Sequence, residues 1–134
     1  MGGEMIQQIY KLTGAIQPYT RMTRAGKWTD ARAQEYMTSQ QAIRWQITAT
    51  MRREGWKMLP DKTPLAIMVD YWPPKGKGHV GDGDNILKAI IDAAQKIVFR
   101  NDCWFDEYHL YRHEAGGDGY ASVTISTRED LNNG

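Results

Sequence analysis

The sequence has few of the features that would place a protein outside the cell or within a membrane. Its single cysteine, Cys103, excludes an internal disulfide framework and fits a reducing cytoplasm. It contains no run of about 18 apolar residues and no signal peptide, so neither a membrane span nor secretion is predicted. Because the formal net charge is only +1, any nucleic-acid partner would need a local basic patch or a groove between two subunits.

The remaining composition is that of a globular protein. With 134 residues, 41% of them hydrophobic and 25% charged, the chain is long enough for one domain with one core. We therefore predict a single domain over residues 1–134. Residues 1–3 do not enter the prediction, and residues 129–134 are expected to form a frayed tail. Cys103 is predicted to be a small buried hydrophobe. The tryptophans are predicted to pack internally: Trp28, Trp45, Trp56 and Trp72.

Hydrophobic periodicity predicts an α+β fold with the order β-α-β-α-β-β. A small mixed sheet of about four strands should carry both helices on one face. The predicted strands cover residues 5–16, 65–72, 105–113 and 120–127. The predicted helices cover residues 31–54, with Thr29 and Asp30 as N-caps, and residues 85–97.

The most informative segment is a glycine-rich turn with closely spaced acids before the second helix. Asp82 and Asp84 are two residues apart, and Asp84 is the predicted N-cap. Lys88 and Asp92 follow at four-residue intervals, which places them on the polar face of that helix. Carboxylates this close repel one another unless a cation lies between them, which favours a divalent-metal site.

A further acid, Asp102, follows the helix after a short turn. If the strand that it precedes lies beside the strand 65–72, Asp102 can fold back toward Asp82 and Asp84 at one end of the sheet. Three carboxylates and a lysine there would suit metal-assisted attack on a phosphodiester. Spacing alone leaves a simpler interpretation open, namely a capped helix with a surface ion pair. The segment lacks residues that an EF-hand loop or a Walker phosphate loop requires, so neither motif is predicted.

The motif resembles the signature of a known family. The string Asp82-x-Asp84-Asn85-x-x-Lys88-Ala89-x-x-Asp92-Ala93, followed by Asn101-Asp102, is similar to that of the RusA family of Holliday-junction resolvases. The resemblance implies a homodimeric endonuclease that binds four-way DNA junctions and nicks two strands symmetrically. It also implies Mg²⁺ or Mn²⁺ as the cofactor, with no small-molecule cofactor.

The resemblance also implies roles for individual residues. Asp82, Asp84 and Asp102 would bind the metal, and Lys88 would be catalytic. Asn85 and Asp92 would support the site, Asp92 by orienting Lys88 or the helix. The chain departs from the family at Asn101, where an acid is common. A two-residue shift would align Asp106 and Glu107 with the acidic pair; we prefer Asp102 because it needs no gap, and Asp106 is the fallback.

Basic residues in the predicted loops are candidates for contact with DNA phosphates. They are Arg21, Arg24, Lys27, Lys75, Lys77, His79 and Arg100. Arg44, Arg52 and Arg53 on the long helix are predicted to be mostly solvated, with a dimer or DNA contact as the alternative. His109 and His113 share one strand face, but a zinc site would need two further ligands.

The leading hypothesis is a Mg²⁺-dependent, structure-selective endodeoxyribonuclease that acts as a homodimer on branched DNA. We expect it in the cytoplasm, associated with the nucleoid when bound to DNA. One alternative is a junction-binding module of the same fold without catalysis. Another is a divalent-metal hydrolase for nucleotides.

Overall fold

The computed structural model describes residues 5–19, 31–76 and 82–128. Within them the chain forms the predicted β-α-β-α-β-β order, which confirms the α+β assignment. The strands are β1 (Gln7–Thr13), β2 (Leu65–Trp72), β3 (Phe105–Arg112) and β4 (Tyr120–Thr127). The helices are α1 (Ala31–Glu54), α2 (Gly83–Ala94) and a short 3₁₀ turn, Asp102–Trp104.

The four strands form one mixed sheet in the order β1-β4-β2-β3. β4 pairs antiparallel with both β1 and β2, whereas β2 and β3 are parallel. A parallel pair cannot be closed by a tight turn, so the chain must cross over between the two strands. α2 is that crossover, and this connection places its polar face next to the segment that leads into β3.

The hydrophobic core lies between one face of the sheet and the two helices, as predicted. Alternate strand residues point into it, including Tyr10, Ile67 and Val123, each 0% exposed. Ile47 of α1 and Ile90 of α2 meet them from the helical side. α2 is therefore held against the sheet by its apolar face, which leaves its polar face turned outward.

The second helix differs from its predicted bounds at both ends. It begins at Gly83 rather than Asn85, so its N-cap is Asp82. It ends at Ala94 rather than Ile97, because Gln95 is extended and Lys96 has a left-handed backbone with φ of 68°. The predicted caps Thr29 and Asp30 and the tail 129–134 lie outside the described residues.

A close approach of three turns anchors the chain just after β2. Gly119 has φ of 96°, and a Cβ there would lie 2.9 Å from the carbonyl oxygen of Gly14. The Gly14 N–H donates to the Gly119 carbonyl at 3.0 Å, and the Lys75 N–H donates to that of Gly117 at 3.0 Å. Only glycine fits position 119, for both conformation and space. Neither helix of the described chain is long and apolar enough to cross a membrane.

Candidate active site

A cavity of about 410 Å³ runs along the outward face of α2. Its walls are formed by Asp84, Leu87, Lys88, Ile91, Asp92, Asp102 and Tyr108. Residues spaced by three or four positions share one face of a helix, which is why the α2 residues line it together. Four of the residues singled out from the sequence thus surround one space, namely Asp84, Lys88, Asp92 and Asp102.

Asp82 caps α2 through its backbone and not through its carboxylate. The Asp82 backbone carbonyl accepts hydrogen bonds from the N–H groups of Asn85 at 3.0 Å and Ile86 at 3.1 Å. Its side chain makes no capping hydrogen bond. The prediction that Asp84 is the N-cap was wrong, because the helix begins earlier; Asp84 lies in the first turn, where the helix dipole favours an anion.

Gly83, between these two acids, lies close to β3. Its backbone is helical, and a Cβ there would lie 2.9 Å from Cδ2 of Leu110 on β3. The first turn of α2 therefore packs directly on β3, which sets the distance of Asp84 from the sheet.

Asp102 lies toward the opposite end of α2 from Asp82. Because β2 and β3 are parallel, Phe105 pairs with Leu65, and the segment before β3 is next to the first residues of β2. The negative charge of Asp102 acts on Asp92. The expected convergence of three acids at one end of the sheet is not found. In the described ranges, no three His, Cys, Asp or Glu side chains approach closely enough to hold a metal ion.

Asp92 is tied to α1 by a hydrogen bond. The Tyr36 hydroxyl donates to Asp92 Oδ2 at 3.2 Å. Burial raises the pKa of Asp92, and the charge of Asp102 acts in the same direction. The Tyr36 hydrogen bond and the positive charges of Lys88 and Arg44 oppose that rise without cancelling it. Asp92 is thus a partly buried carboxylate that links the two helices.

Lys88 is held by an aromatic ring that sequence reasoning did not single out. Its Nζ lies 3.9 Å from the ring centroid of Tyr19, a cation–π contact. The Tyr19 backbone N–H donates to the Asn85 carbonyl at 3.0 Å, and its ring packs edge-on against Tyr36 at 5.9 Å. No local motif marks Tyr19, because it is distant in sequence and only the fold brings it to α2.

Asn101, which stands where the family commonly has an acid, has a structural role before β3. The Asn101 side chain accepts a hydrogen bond from the Cys103 N–H at 3.0 Å and so caps the 3₁₀ turn. Aspartate makes the same cap, so the substitution preserves the turn that carries Asp102. The fallback residue, Asp106, lies outside the cavity lining and is 3.6 Å from Arg128. Cys103 is exposed, so its predicted burial was wrong.

The two predicted DNA-contact residues that the structure describes lie apart from the cavity lining. Lys75 and Arg100 are exposed, and Arg100 lies in a separate depression with Met58 and Lys96. The other predicted DNA contacts lie outside the described residues: Arg21, Arg24, Lys27, Lys77 and His79. The two histidines on β3 and just after it have acidic neighbours, His109 with Glu107 at 3.3 Å and His113 with Asp70 at 2.8 Å.

We expect Asp92→Asn to stabilise the protein at neutral pH. The raised pKa means that native Asp92 holds its proton more tightly than the unfolded chain does, so ionisation costs stability as pH rises from about 4. Asparagine carries no charge and can still accept the Tyr36 hydrogen bond. In thermal unfolding, the gain in Tm should be small near pH 3 and larger at pH 7.

Tyr36→Phe is the matched comparison for this result and has the opposite sign. It removes a donor that favours the ionised carboxylate, so its loss of stability should be greatest at neutral pH. A gain from Asp92→Asn that is the same at both pH values would contradict the assigned cause.

Comparison with known proteins identifies the family of the chain. A comparison with curated protein sequences finds no match. The family described as endodeoxyribonuclease RusA matches residues 10–126, which is nearly the whole chain and includes every residue of the cavity. The protein therefore belongs to the RusA family of endodeoxyribonucleases, the Holliday-junction resolvases.

Proposed function

We propose that this protein resolves four-way DNA junctions by metal-dependent hydrolysis of one phosphodiester in each of two strands, acting as a homodimer. The observation that carries the proposal is the shared cavity of Asp84, Lys88, Asp92 and Asp102 in a chain of this family. The positive charge of a lysine among carboxylates can attract a phosphate that the acids alone would repel.

The donor set suits a hard divalent cation. Carboxylate oxygens are the protein ligands that Mg²⁺ and Mn²⁺ prefer. Asp84 and Asp102 face the cavity, and the Asp82 side chain is not used in capping. We assign these three as the residues that would hold Mg²⁺ or Mn²⁺, which requires their carboxylates to draw together. A bound ion would neutralise phosphate charge and lower the pKa of a water molecule.

The chain's own residues bind and orient the reacting phosphate. Lys88, positioned by the ring of Tyr19, places a positive charge in the cavity where it can stabilise negative charge on a phosphate or leaving oxygen. The hydrogen bond from Tyr36 to Asp92 joins α1 to α2 and so helps to hold the orientation of α2, which carries Lys88. Tyr108 forms the wall on the β3 side.

A homodimer would match two active sites to the two-fold symmetry of a four-way junction. It would also compensate for the low net charge of +1, because the basic loops of two subunits would combine on one DNA molecule. In this proposal Lys75 and Arg100 contact phosphates outside the cavity. Arg21, Arg24, Lys27, Lys77 and His79 are proposed for the same role.

The test is cleavage of a synthetic four-way junction with each strand end-labelled in turn. We expect symmetric nicks in two opposing strands with Mg²⁺ or Mn²⁺, none with EDTA, and none in a linear duplex of the same sequence. Binding without nicks in either metal would overturn the assignment in favour of a non-catalytic junction-binding module. Turnover of free nucleotides with indifference to DNA shape would favour a nucleotide hydrolase.

A further inference from the structure

The outward face of α1 carries an exposed tryptophan. Trp45 is 75% exposed, which contradicts its predicted role in packing. By contrast, Trp56 packs against Tyr10 with ring centroids 5.6 Å apart, and Trp72 stacks on His113 at 4.3 Å. An indole with most of its surface in water is available to a binding partner.

Trp45 lies in a groove with a consistent chemical character. The groove, of about 390 Å³, is lined by Gln41, Arg44, Trp45, Thr48, Ala49 and Arg52, and is called the α1 groove below. Two guanidinium groups, two neutral hydrogen-bonding side chains and one aromatic ring line it, and no acidic side chain of residues 5–19, 31–76 or 82–128 does. Cations beside an exposed ring suit a phosphate backbone with accessible bases.

One arginine of the α1 groove contacts the helix that lines the active-site cavity. Arg44 lines the groove, and its Nε donates to the carbonyl of Ala93 on α2 at 3.3 Å. Its charge acts on Asp92, the preceding residue of α2 and part of the cavity wall. The α1 groove therefore borders the part of α2 that carries Asp92, within reach of a nucleic-acid strand bound in the cavity.

We propose that the α1 groove binds the DNA strand next to the cleavage site. Trp45 stacks on a base whose face is exposed at the branch point, and Arg44 and Arg52 contact the adjoining phosphates. The absence of acidic side chains from the groove favours DNA over a basic protein partner, and its two arginines disfavour a second copy of the same face. This inference rests on the proposed function for the identity of the substrate.

The experiment measures the affinity of a labelled four-way junction by fluorescence anisotropy in EDTA, so that binding is separated from cleavage. Trp45→Ala should weaken binding by about tenfold, the usual scale for loss of one stacked base. Trp45→Phe should recover most of the affinity because it retains an aromatic face. The loss should be smaller for a linear duplex of the same sequence, because all of its internal base pairs are stacked on their neighbours.

A matched pair of arginine variants tests the phosphate contacts. Arg52→Gln should weaken binding and reduce the slope of log affinity against log salt by about one. Arg53→Gln removes the same charge from the next residue, which lies outside the groove and is 3.4 Å from Glu54, so it should leave that slope nearly unchanged. Equal slopes for the two variants would overturn the phosphate assignment.

Other outcomes are distinguishable. Unchanged affinity in Trp45→Ala overturns the inference, as does conversion of a dimer to a monomer in sedimentation velocity, because the face would then contact a second copy of the chain. If the unsubstituted protein binds the junction but never nicks it, the proposed function fails while the affinity loss in Trp45→Ala still supports the groove. No junction binding at all overturns both.

Discussion

Asp102→Asn is expected to reduce junction nicking by roughly 10³-fold while junction binding persists, on the scale of several kcal/mol of lost transition-state stabilisation. Asp102 faces the cavity with Asp84, Lys88 and Asp92, and its side chain is exposed to an incoming phosphate. Asparagine keeps the shape and removes the charge. The measurement is the single-turnover rate of nicking in Mg²⁺, with affinity measured separately in EDTA.

Asp106→Asn is the matched control because it makes the same change four residues later. Asp106 lies outside the cavity lining and next to Arg128, so we expect nicking within a few-fold of the unsubstituted rate. A large loss at Asp106 with normal activity in Asp102→Asn would reverse the assignment and restore the gapped alignment of the acidic pair.

The same assay extends to the acids at the start of α2. Asp82→Asn and Asp84→Asn should also abolish nicking and leave binding in place, since both are assigned to the same ion. Asp82 is the sharper of the two, because its side chain makes no capping bond and its replacement should have little effect on stability. Normal cleavage by Asp82→Asn would exclude it from the site.

Lys88→Met is expected to lower the nicking rate at saturating junction by about 10²–10³-fold, as is typical when a preorganised charge-stabilising group is removed. Methionine keeps the length and apolar character of the stem but not the charge. Affinity should change little, because at most one phosphate contact is lost. Lys88→Arg should restore the rate only in part, since a planar guanidinium differs in shape from the ammonium held over Tyr19.

Lys75→Met is the matched control for Lys88→Met, because it removes the same charge from a residue outside the cavity. Lys75 is exposed and lies outside the cavity lining, so its loss should weaken binding modestly and leave the saturated rate unchanged. A loss of rate in Lys75→Met as large as that in Lys88→Met would contradict the special position of Lys88.

Tyr19 provides a graded test of how Lys88 is positioned. Tyr19→Leu removes the ring under the ammonium group and should slow nicking by about tenfold, the scale of a partly desolvated cation–π contact. Tyr19→Phe retains the ring face and should behave like the unsubstituted protein. If Leu and Phe at this position slow the reaction equally, the ring does not act through Lys88.

Much of the fold follows from local patterns in the sequence. β2, β4 and α1 have the predicted bounds because alternation in strands and a 3.6-residue period in helices are set by neighbouring residues. The bounds of α2 were less accurate: the helix begins at Gly83, which lies against Leu110 of β3, and ends before the left-handed backbone of Lys96. Those are tertiary and conformational facts that hydrophobicity does not encode.

The sequence by itself determined the family, the order of elements and the helical face shared by Asp84, Lys88 and Asp92, because four-residue spacing on a helix fixes a face. Only the tertiary structure decided where Asp102 lies, because parallel pairing of β2 and β3 places it beside the second half of α2. The fold likewise brought Tyr19 to Lys88 and left Trp45 exposed. These contacts join segments far apart in the chain, and sequence spacing carries no information about such distances.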